Sequence, residues 1–248
     1  QDKRVLKLIR AYLKSGVMIN GVVAETDQGC PQGGPLSPLL SNIMLNELDK
    51  ELEKRGIRYV RYADDVLLFA KSKRSATRIL KNIVPFIENK LKLRVNKDKT
   101  AVAYIGNIKF LGYGFYPSKT GIQLRVHSKS ITKMKGKIRE ITARNRGISY
   151  EMLKLKLKQY VTGWVNYFKL ADMKKLLLNT DQWLRRRLRM FIWKRWKKIK
   201  TRYSMLRKLG LNHRNAIRFS NTRKGYWHTA NSPILTCSIT DNRLRTSG

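Results

Sequence analysis

The sequence predicts an α+β fold in three parts: a helix-and-strand layer, an all-helical bundle, and a small irregular C-terminal region. Two observations carry this. Helical and strand-like periodicities alternate up to about residue 127, and from Ser128 to about Tyr203 the pattern is helical. Charge divides at the same place. Residues 1–128 hold 23 basic and 11 acidic side chains, and residues 129–248 hold 31 and 5. The expected parts are therefore 1–127, 128–203 and 204–248.

The elements follow in order. Val5, Leu6, Leu8, Ile9 and Leu13 read as one face of a helix that ends near Gly16. Val17–Ala24 reads as a hairpin with Asn20-Gly21 as its turn. A loop rich in Gly and Pro covers residues 28–35. Ser37-Pro38 opens a helix to about Arg55, with Leu36, Leu40, Ile43, Leu48 and Leu52 at helical spacing and Gly56 as its stop. Ile57–Tyr62 and Val66–Ala70 are short strands, so Ala63-Asp64-Asp65 lies at a hairpin tip. A helix over about Ser75–Lys90 contains Pro85, a potential kink. Leu93–Val95, Ala101–Ile105, Phe110–Tyr116 and Ile122–Val126 are expected as strands, with a turn at Pro117–Gly121. Ile131–Arg144, Tyr150–Leu170 and Gln182–Tyr203 read as three helices, with breaks at Gly147 and Asn179–Asp181. After Gly210 the chain reads as irregular, with Trp227, Pro233 and Ile234 as small-core anchors.

The composition narrows the partners. Hydrophobic residues make up 42%, enough for a core, and the net charge is +38. So much like charge opposes compaction, and a polyanion relieves it. Nucleic acid is the first candidate partner, ahead of an anionic membrane surface. No apolar run approaches the roughly 18 residues of a membrane span, so no membrane is expected. Cys30, Cys237 and the three His have no zinc-ligand spacing, and a reduced cytoplasmic protein is the simpler reading.

Two adjacent carboxylates at a hairpin tip repel each other, and a divalent cation reverses that sign. Asp64 is the stronger metal-ligand candidate, because side chains alternate along a strand and Asp65 points partly elsewhere. The Asp pair alone reads more readily as an Asx turn; the apolar flanks Tyr59–Tyr62 and Val66–Phe69 weaken that reading, because they can pin the pair rigidly. Pro31-Gln32-Gly33 lets backbone approach a ligand, and the Gln32 amide can bond a nucleotide or template. Lys99 is a candidate proton donor to a leaving group, or a phosphate contact; alone, it would read as a solvated lysine. Phe110 and Leu111 read as ordinary strand core or as holders of a primer end.

Arg61-Tyr62-Ala63-Asp64-Asp65 resembles the YxDD signature of reverse transcriptases. Residues 29–42 resemble the polymerase motif that precedes it, Asn96–Thr100 the one that follows, and Phe110-Leu111-Gly112-Tyr113 the primer-grip motif. The order is that of the family. The resemblance implies a polymerase palm for residues 1–127. It assigns Pro31, Gln32, Gly33, Tyr62 and Ala63 to nucleotide or template binding, and Phe110, Leu111 and Gly112 to the primer grip. Catalysis falls to Asp64, Asp65 and Lys99, with Mg²⁺ in a two-metal site held by Asp64 and Asp65. A dNTP would be the substrate, with an RNA template and a DNA primer. The family's further metal-binding Asp belongs to a motif expected just upstream of Gln1, so this chain alone is expected to hold an incomplete site.

The helical part adds a second resemblance. Gly163–Phe168, Trp183–Arg189 and Trp193–Lys197 are similar to the thumb, or maturase, domain of group II intron proteins. Residues 221–227 and 232–235 resemble, more weakly, that family's small DNA-binding region. The resemblance implies a bacterial splicing cofactor that binds intron RNA and a DNA target. No Cys- and His-rich endonuclease segment follows, so target nicking is not expected. On the helix from Trp183, Leu184, Leu188, Phe191, Ile192, Trp196 and Ile199 form the expected packing face. Trp193 lies outside it among Arg186, Arg189, Lys197 and Lys200. A Trp among cations suits stacking on a base while the cations hold phosphates, or else it is covered by the C-terminal segment. A non-catalytic RNA-binding splicing factor is the rival to the enzyme.

Overall fold

The computed structural model describes residues 2–19, 22–24, 34–145 and 147–246. The protein is a mixture of helices and small sheets in two compact units, residues 1–104 and 105–248. The strands after residue 105 thus share a unit with the basic helices.

In the first unit, α1 (Lys3–Lys14) starts at Asp2, whose side chain accepts a bond from the Arg4 N–H. Strands β1 (Val17–Ile19) and β2 (Val22–Ala24) pair antiparallel, as expected. The Asn20-Gly21 turn and the loop residues Pro31, Gln32 and Gly33 lie outside the described residues. Helix α2 (Ser37–Lys54) carries Pro38 in its first turn, where a missing N–H leaves no bond unmade. It buries Leu45, Leu48 and Leu52, one face at helical spacing. Ile43, assigned by its spacing to that face, is instead 60% exposed. Strands β3 (Tyr59–Tyr62) and β4 (Asp65–Leu68) form the acidic hairpin. Helix α3 (Lys73–Pro85) runs on through Pro85 into a wider π-helical turn, Phe86–Lys90. The core joins Leu45, Leu48, Leu52, Ile83 and Leu91, with Tyr59, Val66 and Leu68 packed against it.

Leu93–Val95 and Ala101–Ile105 form no strands. Strand propensity needs a neighbouring strand to be realised, and Asn96 instead gathers the local backbone. Its side-chain oxygen accepts from the N–H groups of Asp98 and Lys99, and its carbonyl accepts the Thr100 hydroxyl.

In the second unit, β5 (Lys109–Phe110), β6 (Tyr113–Ser118) and β7 (Gly121–Val126) form an antiparallel sheet in chain order. The single strand expected over Phe110–Tyr116 is therefore a hairpin, bent at Leu111-Gly112. Helices α4 (Ser128–Ile141), α5 (Tyr150–Tyr167) and α6 (Lys174–Arg195) follow. They bury Met134, Ile138, Ile141, Leu153, Leu157, Leu188 and Phe191 in one cluster.

The expected break at Asn179–Asp181 is absent. None of these residues is Gly or Pro, Thr180 is buried, and Asp181 pairs with Arg185 one turn on. The chain breaks at Trp196 instead, whose ψ of 68° leaves the helical range. The Arg202 guanidinium closes that end by donating to the Trp196 carbonyl at 2.9 Å. Beyond the break come α7 (Ile199–Lys208), α8 (His213–Ser220), α9 (Tyr226–Thr229), α10 (Pro233–Ser238) and α11 (Asp241–Thr246). The region expected to be irregular is thus a set of short helices. They cover the second face of α6, burying Trp193 and Trp196 with Leu206, Ala216, Leu235 and Ile239.

Candidate active site and nucleic-acid interface

Tyr62 pairs with Asp65 across the β3–β4 ladder, so Ala63 and Asp64 are the two turn residues. Ala63 has φ +52° while Asp64 stays outside the left-handed region, the pattern of a type II′ hairpin. An alanine there carries a steric cost of roughly 1–2 kcal/mol, so neighbours must hold the turn. Arg61 supplies the hold. Its guanidinium donates to the Ala63 carbonyl at 3.1 Å and to the Asn42 side chain at 3.0 Å. It also binds both carboxylate oxygens of Asp49, from Nε at 2.8 and 3.0 Å and from Nη2 at 2.5 Å. Asn42 and Asp49 lie two turns apart on one face of α2. The turn is thus tied to the helix that forms the unit's core. The Asp49 partnership also holds the Arg61 guanidinium above its ordinary pKa, burial opposing.

Asp64 and Asp65 are both exposed, as is Tyr62 at 63%. Their donor chemistry, two hard carboxylates on a braced turn, fits Mg²⁺. The described residues gather no group of three or more His, Cys, Asp or Glu able to hold a metal. The pair thus offers two exposed carboxylates. Lys99 is exposed, on the Asn96 turn. Sequence reasoning missed Arg61 and Asp49 as parts of this arrangement. Their distance in the chain, 12 residues apart, gave no local signal.

In the second unit, Leu111 and Gly112 both have positive φ, +50° and +83°. That is the pattern of a type I′ turn, for which Gly is suited and Leu is not. A Cβ on Gly112 would sit 3.0 Å from the Phe168 ring. The Gly112 carbonyl accepts from the His127 N–H at 3.1 Å and the Ser130 hydroxyl at 2.9 Å. The Leu111 carbonyl accepts the Tyr167 phenol at 3.0 Å, and the Tyr113 phenol donates back to the Tyr167 carbonyl at 2.5 Å.

Comparison with known proteins bears on both regions. Residues 2–115 match the family described as reverse transcriptase (RNA-dependent DNA polymerase), and residues 131–210 the group II intron, maturase-specific domain. A reverse transcriptase match is thus followed, in one chain, by a group II intron maturase match. Protein YkfC of Escherichia coli is 32% identical over 147 residues, 45% of this chain and 39% of that protein. The group II intron-encoded protein LtrA of Lactococcus lactis is 27% identical over 226 residues, 65% of this chain and 36% of LtrA. The retron Ec86 reverse transcriptase of E. coli is 28% identical over 149 residues, 58% and 42%. The chain spans less than half the length of each of these relatives.

The maturase-type domain places its cations in two groups. The arginines of α6 act as braces. Arg185 pairs with Asp181 and Asp241, and Arg189, 6% exposed, bonds the Ile239 carbonyl and Asp241. Arg187 donates to Thr142 at the end of α4, and Arg195 to the Ile148 carbonyl. Arg186 lies 4.0 Å from the Trp227 ring centre and donates twice to the Trp227 carbonyl. Arg189 is therefore buried within the protein, contrary to its expected role on phosphates, while Arg186 is half-buried against Trp227. Trp193 is 1% exposed, 5.6 Å from Trp196 and with Arg202 over its ring. A ring buried this deeply cannot stack on a base, and the C-terminal helices are what cover it. Lys197 and Lys200 are exposed, as a phosphate-contacting role requires. No helix among the described residues is long and apolar enough to cross a membrane.

Proposed function

We propose that this protein is an RNA-directed DNA polymerase that also binds a group II intron RNA, assisting its splicing and its movement into DNA. It works in the bacterial cytoplasm, on nucleic acid. Residues 1–127 serve as palm, 128–203 as thumb and maturase domain, and 204–248 as a DNA-binding region. The observation that carries this reading is the braced, exposed Asp64-Asp65 turn within the reverse transcriptase match, followed in the same chain by the maturase match.

In the proposed reaction the primer 3′-oxygen bonds to the α-phosphate of a dNTP, and the bond to the leaving pyrophosphate breaks. Asp64 and Asp65 would hold Mg²⁺, which supplies the positive charge that draws the attacking oxygen in and steadies the leaving one. Lys99 contacts or protonates the pyrophosphate. Pro31, Gln32, Gly33, Tyr62 and Ala63 line the nucleotide and template. Phe110, Leu111 and Gly112 hold the primer end. Lys197 and Lys200 engage phosphates of the intron RNA.

The test is paired, on the protein as encoded by its gene. Replacing Asp64 and Asp65 together by Asn removes two negative charges at nearly unchanged shape. Primer extension on an RNA template should be abolished, while intron binding and splicing at low Mg²⁺ should stay near the unaltered level. Loss of both in a folded protein defeats the division of labour. Splicing assistance without any DNA synthesis by the unaltered protein favours a non-catalytic splicing factor.

A further inference from the structure

We propose that Tyr167 and Tyr113 are positioning residues for the primer end, through which the maturase-specific helix α5 sets the aim of the Leu111-Gly112 turn. This rests on the reading of Phe110–Gly112 as the primer grip. The turn does not hold its own shape, because Leu111 sits at φ +50°, where its Cβ is crowded. What fixes it comes from the start of α4 and the end of α5. Both turn carbonyls accept hydrogen bonds from side chains or backbone at residues 127, 130 and 167.

The two phenols form a reciprocal pair. Tyr167 donates to the Leu111 carbonyl, and Tyr113, the first residue after the turn, donates to the Tyr167 carbonyl. Phe168, 5% exposed, fills the space that only a glycine at 112 leaves. The pair therefore joins residues 109–114 to the C-terminal end of α5 across 54 to 56 positions of sequence. A shift of α5 on engaging RNA would pull the Leu111 carbonyl with it, while the Gly112 carbonyl stays anchored to His127 and Ser130 at the start of α4, so the turn would be re-aimed. Splicing and synthesis would then be mechanically linked at this one contact.

The experiment uses Tyr167→Phe and Tyr113→Phe, which keep the rings and their packing on Phe168. Tyr116→Phe is the control, since its phenol bonds Asp172, away from the turn. Amide hydrogen exchange over residues 109–114 should quicken about fivefold in each test variant, the equivalent of one ordinary hydrogen bond. Binding of a fluorescein-labelled RNA–DNA primer-template hybrid should weaken by a similar factor, with the KM for dNTP unmoved. The control should leave both unchanged. Unaltered exchange in either test variant overturns the proposal, and so does faster exchange with unaltered hybrid affinity. If the unaltered protein makes no DNA, the polymerase reading fails by itself, because exchange and hybrid binding need no turnover.

Discussion

At residue scale the acidic turn depends on Arg61 more than on its own sequence. The guanidinium satisfies the Ala63 carbonyl, and Asp49 neutralises it with both oxygens. The two side chains are 15% and 17% exposed, so either one left alone is a poorly solvated charge. Arg61→Ala should therefore cost about 2–3 kcal/mol in urea unfolding, typical of hydrogen bonds to charged groups. Arg61→Ala with Asp49→Ala should cost less than the two single losses added together. Strict additivity would mean that the pair is not coupled. DNA synthesis should fall in both variants, since the turn no longer has an anchor on α2. None of this could be read from the sequence, where Arg61 serves only as the start of a motif and Asp49 as one more charge on a helix.

At element scale, α6 shows what periodicity can and cannot give. The Leu188 and Phe191 face was legible, because apolar spacing reports the face that packs. Trp196 and Ile192, expected on that face, pack instead with Trp193 on another, and Ile199 is 52% exposed; spacing alone cannot distinguish a covered Trp from a stacking one. What decides it is the set of short helices after Gly210, whose polar sequence hid their helical form. The arginines were misread for a related reason. Charge counts do not separate a guanidinium that caps a carbonyl from one that faces solvent, whereas lysine, a point charge without a planar fork, is seldom used as such a brace. Packing and binding can be separated by experiment. Trp193→Ala should destabilise by about 3–5 kcal/mol, as for other large buried aromatics. Lys197→Gln with Lys200→Gln should leave unfolding unchanged and lower the slope of log K against log[salt] for intron RNA by roughly 0.7 per lost contact. An unchanged slope would show the two lysines to be merely solvated. The acidic hairpin, by contrast, was legible to within about two residues: Asp65, expected at the tip, begins β4 and pairs with Tyr62, and the strands are shorter than their apolar runs.

At the scale of the whole molecule, a net charge of +38 works against every contact that closes the chain, and some of the few acids pair with cations across elements. Asp241 is the clearest case, since it ties α11 to both Arg185 and Arg189 of α6. Burial disfavours its charge, but the bonds and charges of the two arginines outweigh that and hold the carboxyl below its ordinary value of 3.8. A lowered carboxyl pKa contributes stability above the unfolded value, and that contribution fades as pH falls through the folded one. Because Asp241 is half exposed, the contribution should be no more than about 1 kcal/mol. Acidification below that range should loosen the C-terminal helix first, seen as increased proteolysis near Ile239. Asp241→Asn should be loosened already at neutral pH and lack this acid step; an unchanged acid step would assign it to another group. The two-faced α6 has a further consequence, in the order of synthesis. Its Trp193 and Trp196 leave the ribosome before Leu235 and Ile239, which cover them, exist. At about 5–20 residues per second, a pair of bare indoles is presented for ~2–9 s on a strongly basic nascent chain. During that interval, whatever polyanion lies closest, including the transcript being translated, meets the aromatic face before the protein's own tail does.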